Sequence, residues 1–336
     1  MVNDSYFYGM KKIIAVVSGG YTSERGISQK SGQVVFNALL DTPFECYHID
    51  IAKEGWTVKD ANGIIHSINK SDFSIAVDGT TKTVDCVVNM IHGAPGENGQ
   101  LAGYLEVLGI PHSCCSTAMA ALTYDKRNCL AVANSLGIPS AKRLALNLGD
   151  KIELEDIINT VGLPCFVKAN RAGSSFGVYK VTEAADLSAA IEGAFKEDDE
   201  ILIEAALEGR EITVGVLERK GEIVVLPITE IVSENDFFDY EAKYEGKSEE
   251  ITPANLPEAW ETAAKSMAKK LYKSMGLKGI TRSEFIFVDG QPHLLEINTI
   301  PGMTLQSIIP QQAEAAGISL TDLLTDLIET SILKKA

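Results

Sequence analysis

Two segments in the amino-terminal third share one order of features: an apolar run, a glycine turn and a helical pattern. The first runs from Lys12 to Ser18, breaks at Gly19-Gly20 and continues as a stripe of Ile27, Val34, Val35, Ala38 and Leu39. The second is Val84 to Ile91, then a glycine-rich loop from His92 to Gly99, then Leu101 to Leu108. A strand that is apolar throughout must be covered on both faces, and repeated strand–turn–helix units supply that cover by laying helices over a parallel sheet. The amino-terminal part is therefore expected to be α/β, with its functional loops at the carboxyl ends of the strands.

The chain has 336 residues, more than one hydrophobic core usually serves, and the pattern changes along it. Near Ser116 the apolar strands give way to a short helix and then a longer one opened by Asp125-Lys126, which ends before Gly137-Ile138-Pro139. A helix at 153–161, a strand at 164–169, a Gly/Ser loop at 170–177, a strand from Val178, a helix at 184–195 and a strand at 200–206 make an α+β unit. From Glu211 the strands alternate, with Lys220-Gly221 as a hairpin turn. Residues 233–250 form a long charged loop with aromatic residues, the kind that often serves as a lid. A helix at 257–275, a hairpin at 279–298 and a helix from Leu320 follow. Three domains are expected, at 1–117, 118–207 and 208–336: parallel α/β first, α+β in the central and carboxyl-terminal parts.

A net charge of −16 argues against nucleic acid as a main partner, since polyanion binding draws on excess Lys and Arg. No apolar run approaches the ~20 residues of a membrane span, and the opening residues lack the basic start and apolar stretch of a secretory leader. A cytoplasmic protein with no membrane partner is expected. The cysteines, at 46, 86, 114, 115, 129 and 165, show no CxxC spacing and read as reduced thiols.

The most informative segment is Thr281-Arg282-Ser283-Glu284 with Leu294-Leu295-Glu296-Ile297-Asn298, where charges interrupt strands that otherwise look buried. A buried carboxylate is costly unless it is paired or bound to metal. Glu296 and Asn298 share a strand face, and a three-residue loop, Asp289-Gly290-Gln291, sets Glu284 opposite Glu296. Two carboxylates and an amide oxygen suit Mg²⁺, which completes its octahedron with phosphate and water. Incidental acids on a surface hairpin are the other reading. The loop Arg171-Ala172-Gly173-Ser174-Ser175-Phe176-Gly177 follows a strand ending in Lys168 and offers N–H groups and hydroxyls to phosphate, although it has no Gly-Lys-Ser/Thr ending. Lys168 and Lys126 are the candidate phosphate cations. Gly19-Gly20 with Ser23-Glu24-Arg25, and His92-Gly93 with Gly96-Glu97-Asn98-Gly99, mark two more loops at strand ends, where His92 also fits an ordinary structural histidine.

Taken in order, these segments resemble the ATP-grasp superfamily and, within it, the D-alanine–D-alanine ligases. The set includes Asp125-Lys126, Val167-Lys168, Gly173 to Gly177, Tyr240-Glu241-Ala242-Lys243-Tyr244, Leu295 to Thr299 and Pro301-Gly302-Met303-Thr304. The resemblance implies an ATP-grasp fold and ADP-forming ligation of two D-alanine molecules through an acyl phosphate. It implies Lys126, Lys168, Ser174 and Ser175 at the ATP phosphates, Glu204 and Leu207 at the adenine, Glu211 at the ribose, and Lys243 over the phosphates. Glu284, Glu296 and Asn298 would bind two Mg²⁺ ions, with Mn²⁺ as a substitute. Glu24 would hold the first D-alanine's amino group with His92 nearby, and Arg282, Gly302 and Ser307 would hold carboxylate and transition-state charge. Ser174 and Tyr244 would join Glu24 in closing the lid. A homodimer is also implied.

Ala169, Glu284, Ala205 and Gly26 depart from the family pattern, which more often has proline, aspartate, lysine and an acid there. Ester formation with D-lactate is the nearest alternative; Tyr244 favours the amine. A nucleotide-dependent oxidoreductase leaves Glu284, Glu296 and Asn298 idle, and no GxGxxG follows the first strand.

Overall fold

The computed structural model describes residues 11–173, 177–233 and 248–333. Strand β1 (Ile13–Gly19) is buried from Ile14 onward. It pairs in parallel with β2 (Glu45–Ile51) and β7 (Cys86–Asn89), and helix α1 (Arg25–Leu39) covers it. The covering face is Ser28, Ser31, Gly32, Val35 and Leu39, so Ile27 and Val34 of the apolar stripe turn instead toward a cavity. Small residues let helix and sheet approach closely: a Cβ on Gly32 would stand 2.5 Å from that of Ser18.

The expected parallel sheet is only part of the first layer. Beyond β2 come four antiparallel strands, β3 (Trp56–Lys59), β4 (Ile65–Asn69), β5 (Ser74–Val77) and β6 (Thr80–Lys82), in the order β6-β5-β4-β3-β2-β1-β7. They are short and carry no long apolar run, which is why the pattern hides them. Trp56, Phe73 and Tyr104 of α2 (Gln100–Leu108) pack edge to face beneath them.

Helices α3 (Thr117–Tyr124) and α4 (Lys126–Ser135) lead to a second sheet. Strands β8 (Arg143–Asn147), β9 (Cys165–Ala169), β10 (Val178–Val181) and β11 (Glu200–Ala205) lie antiparallel in the order β10-β9-β11-β8. Helices α5 (Leu154–Val161) and α6 (Leu187–Ala194) close over it, and the resulting core of Ile157, Val167, Leu187, Ile191 and Ile203 is separate from the others.

The third sheet holds β12 (Arg210–Arg219), β13 (Glu222–Val225), β14 (Thr229–Ser233), β15 (Ser248–Ile251), β16 (Ile280–Val288) and β17 (Gln291–Asn298), with helix α7 (Glu258–Ser274) across it. Helices α8 (Ile308–Ala315) and α9 (Leu320–Leu333) follow. Ile14, Val16 and Val88 of the first sheet share one core with Leu217, Ile280, Ile309, Leu323 and Leu327. The first and third layers are thus locked together, while the second rests on its own core.

Gln312 pins α8 to this sheet. Fully buried, it accepts from Gly215 N at 3.0 Å and donates to Thr213 O at 3.0 Å and Thr229 Oγ1 at 3.1 Å. Gln312→Leu should lower unfolding free energy by about 2–3 kcal/mol, because it strands a buried N–H and carbonyl. Urea denaturation measures this, and an unchanged midpoint would mean that the bridges contribute nothing.

Candidate active site

The hairpin of β16 and β17 turns in two residues, Asp289 (φ 51°) and Gly290 (φ 79°), so Val288 pairs with Gln291. The turn is one residue shorter than expected. Uninterrupted pairing would then set Glu284 against Leu295, but a bulge between Glu284 and Phe285 absorbs Leu295 and restores Glu284 opposite Glu296. The bulge also brings Leu295 to the same cleft as Glu296 and Ile286. Arg282 pairs in register with Asn298, and its Nη2 lies 2.7 Å from Glu284 Oε1. That contact is an ion pair without hydrogen-bond geometry: Glu284 is buried, and this oxygen accepts no hydrogen bond among the described residues.

Two lysines reach the cleft from other elements. Lys126 opens α4 behind the cap Asp125, whose carboxylate accepts from Asn128 N. Its Nζ donates to Ala172 O at 2.7 Å and stands 3.2 Å from Glu296 Oε2. Burial works against its charge, but Glu296, Glu97 and Glu24 outweigh burial and raise its pKa. Asn170, fully buried, fixes the start of that helix by accepting from Arg127 N at Oδ1 and from Lys126 N at its carbonyl. Lys168 on β9 pairs diagonally with Glu204 on β11, Nζ to Oε2 at 2.5 Å. The other oxygen of Glu204 is buried and has no hydrogen-bond partner among the described residues. Glu204, Leu207, Glu211 and Glu284 line the cleft with both lysines.

A larger cavity opens from this cleft. Lys126, Ala172, Gly173 and Glu296 border both, so the two are continuous. The larger one is lined by Glu24, His92, Arg282, Asn298, Gly302 and Ser307. Glu24 is held tightly: a Cβ on Gly173 would stand 2.6 Å from its Oε1, and one on Gly93 (φ 68°) 3.2 Å from its Oε2. Burial pushes the His92 pKa down to about 4, with the charge of Arg282 acting the same way, so the imidazole is neutral. Its Nε2 lies 3.4 Å from Ser31 Oγ. Ser307 precedes α8, and its Oγ accepts from Thr304 N at 3.0 Å.

Glu97 is the acid that the sequence reading left without a role. It is half-buried, accepts from Gly93 N at 2.6 Å, and is pushed up to about 8 by desolvation and then by the neighbouring Glu24 carboxylate. Its signal is a lone acid within a glycine-rich loop at a strand end. Leu295, Asn170 and Glu250 were also passed over. Ser174, Ser175, Lys243 and Tyr244 lie outside the described residues.

Residues 13–115 match the family model for the D-ala D-ala ligase N-terminus, and 132–329 match that for the C-terminus. The D-alanine--D-alanine ligase of Flavobacterium johnsoniae is 53% identical over 321 residues, covering 96% of this chain and 99% of the relative. The chain belongs to the D-alanine–D-alanine ligase family. Among solved structures, D-alanyl-alanine synthetase A from Vibrio cholerae is similar at a TM-score of 0.86 and 30% identity, with 96% and 99% of the two chains covered. The VanG D-Ala:D-Ser ligase of Enterococcus faecalis follows at 0.82 and 30%, with 95% and 99% covered. The fold is therefore that of the ATP-grasp ligases, and the oxidoreductase alternative falls.

The family is ATP-dependent, which implies Mg²⁺, and the donor set fits a hard cation. Glu284 and Glu296 face each other; among the described residues Glu284 Oε1 has its ion pair with Arg282 but no hydrogen bond, and Asn298 Oδ1 accepts from Ile300 N at 2.9 Å. No group of three or more His, Cys, Asp or Glu suited to a metal occurs among the described residues. Two carboxylates and an amide remain, a small set that relies on phosphate and water oxygens, as Mg²⁺ sites with nucleotides do.

Proposed function

We propose that this chain joins two D-alanine molecules into D-alanyl-D-alanine at the expense of ATP, through a D-alanyl phosphate, supplying a peptidoglycan precursor. The observation that carries the reading is the continuity of the two cavities at Lys126 and Glu296: a nucleotide in the cleft would turn its terminal phosphate toward the cavity holding Glu24, His92 and Arg282.

In this reading Glu204 and Leu207 take the adenine and Glu211 the ribose, while Lys126, Lys168, Ser174 and Ser175 hold phosphate oxygens. Glu284, Glu296 and Asn298 hold two Mg²⁺ ions, or Mn²⁺ in their place; bound there, the metal neutralises charge developing on the phosphates. Glu24, packed between Gly93 and Gly173, takes the ammonium of the first D-alanine, with His92 beside it. The first carboxylate attacks the γ-phosphate in line, and Lys126 and Lys168 offset the charge on the transferring group. The amine of the second D-alanine then attacks the acyl carbon and phosphate leaves; Arg282 and the loop at Gly302 and Ser307 hold its carboxylate and the oxyanion. Strands β14 and β15 take up the two ends of the expected 233–250 loop, and Lys243 and Tyr244, with Ser174 and Glu24, close the segment between those strands over the acyl phosphate and keep water out. The working form is a cytoplasmic homodimer.

Phosphate release from ATP, measured across D- and L-amino acids and D-lactate with Mg²⁺ or with EDTA, tests this. D-alanine should stimulate release at least about tenfold over any L-amino acid, with D-alanyl-D-alanine as product and no release in EDTA. Equal stimulation by L-alanine would sink the reading.

A further inference from the structure

Three charged residues that line the cavity of Arg282 and Ser307 have no place in the scheme above, Lys30, Glu97 and Glu250, and Glu250 is the one tied to the loop that carries Ser307. Glu250 lies on β15, beside Ile231 of β14, and its side chain lines the cavity together with Arg282, Gly302, Gln306 and Ser307. It is not a loose surface acid. Gln311 of α8 donates through Nε2 to Glu250 Oε2 at 2.7 Å and, through the same nitrogen, to Gln306 O at 2.9 Å. One amide thus ties the carboxylate to the loop that presents Ser307. Burial raises the Glu250 pKa, while the Gln311 hydrogen bond and the charge of Arg282 oppose that rise.

Arg282 is already paired with Glu284 at 2.7 Å, so Glu250 is not needed to neutralise it. A carboxylate near enough to Arg282 to feel its charge makes the site worse for an anion and better for a zwitterion. An amino acid docked with its carboxylate at Arg282 and Ser307 offers an ammonium to Glu250; a hydroxy acid of the same shape offers only a neutral hydroxyl and carries a net negative charge. We infer that Glu250, held by Gln311, is a specificity-determining residue that selects an ammonium-bearing second substrate over the corresponding hydroxy acid. Because a close charge pair in a partly desolvated cavity discriminates by charge rather than size, the effect separates amine from hydroxyl and ignores small changes at the side chain.

The inference rests on the ligase reading, and the test separates the two. Wild type and E250Q are given D-alanine with ATP and Mg²⁺ in the presence of D-lactate, and D-alanyl-D-alanine and D-alanyl-D-lactate are quantified; a parallel competition uses D-serine. Glutamine keeps the length and the acceptor for Gln311. E250Q should reduce the amine-to-hydroxy-acid product ratio about tenfold and leave the D-alanine-to-D-serine ratio within about twofold, whereas E250D, which keeps the charge, should hold both ratios near wild type. No dipeptide from wild type would mean that the ligase reading itself is wrong. Dipeptide from wild type with an unchanged amine-to-hydroxy-acid ratio in E250Q, whatever its overall rate, would overturn the selectivity role alone, as would an equal shift in both competitions.

Discussion

Glu296→Gln is expected to lower D-alanine-dependent phosphate release at least about 10³-fold while leaving the folded protein intact, since the loss of one preorganised charge at a transferring phosphoryl group is of this order. Glutamine keeps shape and one oxygen donor but removes the negative charge that faces Glu284 across the hairpin and that stands 3.2 Å from Lys126. Both consequences fall on the same step: a metal held as proposed would lose a charged ligand, and Lys126 loses the partner that holds it between the loop carbonyl of Ala172 and the strand. The Glu296 side chain is 27% exposed but that of Lys126 only 13%, so removing the carboxylate takes the nearest charge from a nearly buried lysine that keeps Ala172 O, and unfolding free energy should fall by about 1–3 kcal/mol. Single-turnover phosphate release together with denaturation separates the two effects. Near-normal turnover would contradict the metal assignment.

The part of the site that sequence disclosed most clearly is this hairpin, for an energetic reason. Glu284 and Glu296 interrupt strands whose other residues, such as Phe285, Leu294 and Ile297, are buried, and a charge in such a strand needs a compensating partner. The bulge that brings them opposite each other was not visible. A three-residue turn without a bulge and a two-residue turn with one predict the same pairing, and only the backbone at Asp289 and Gly290 distinguishes them. The same holds for contacts between distant segments. Lys126 and Lys168 were recognisable as candidate cations from their places at a helix start and a strand end. The partner of Lys168, Glu204, follows from the register of β9 against β11, and that of Lys126, Glu296, from how α4 sits against the third sheet; no local pattern encodes either. Glu97 and Glu250 went unread because a single acid in a polar loop or at the end of a charged segment looks like ordinary surface. Their partial burial comes from residues elsewhere in the chain. The β3–β6 meander is hidden because strands of three to five residues have too few positions to show a period.

Lys168→Met is expected to affect both stability and turnover, and the contrast with a double variant tells the two apart. Lys168 and Glu204 are nearly buried, with side-chain exposures of 13% and 6%. Removing the lysine leaves the Glu204 carboxylate in a low-dielectric cleft with its other oxygen already lacking a hydrogen bond among the described residues. An uncompensated buried charge of this kind typically lowers stability by about 3 kcal/mol. Replacing both partners by apolar groups of similar volume removes that penalty, so K168M/E204M should return to within about 1 kcal/mol of wild type. Activity should not follow stability. A methionine pair offers no cation to a phosphate and no acceptor to an adenine, and ATP-dependent phosphate release should stay at least about 100-fold below wild type in both variants. Urea denaturation and steady-state phosphate release, run side by side on wild type, K168M and K168M/E204M, give the two readouts. A double variant restored in both would reduce Lys168 to a structural partner of Glu204. One restored in stability alone assigns the lysine to the nucleotide, since its charge is then required by the reaction and dispensable to the fold.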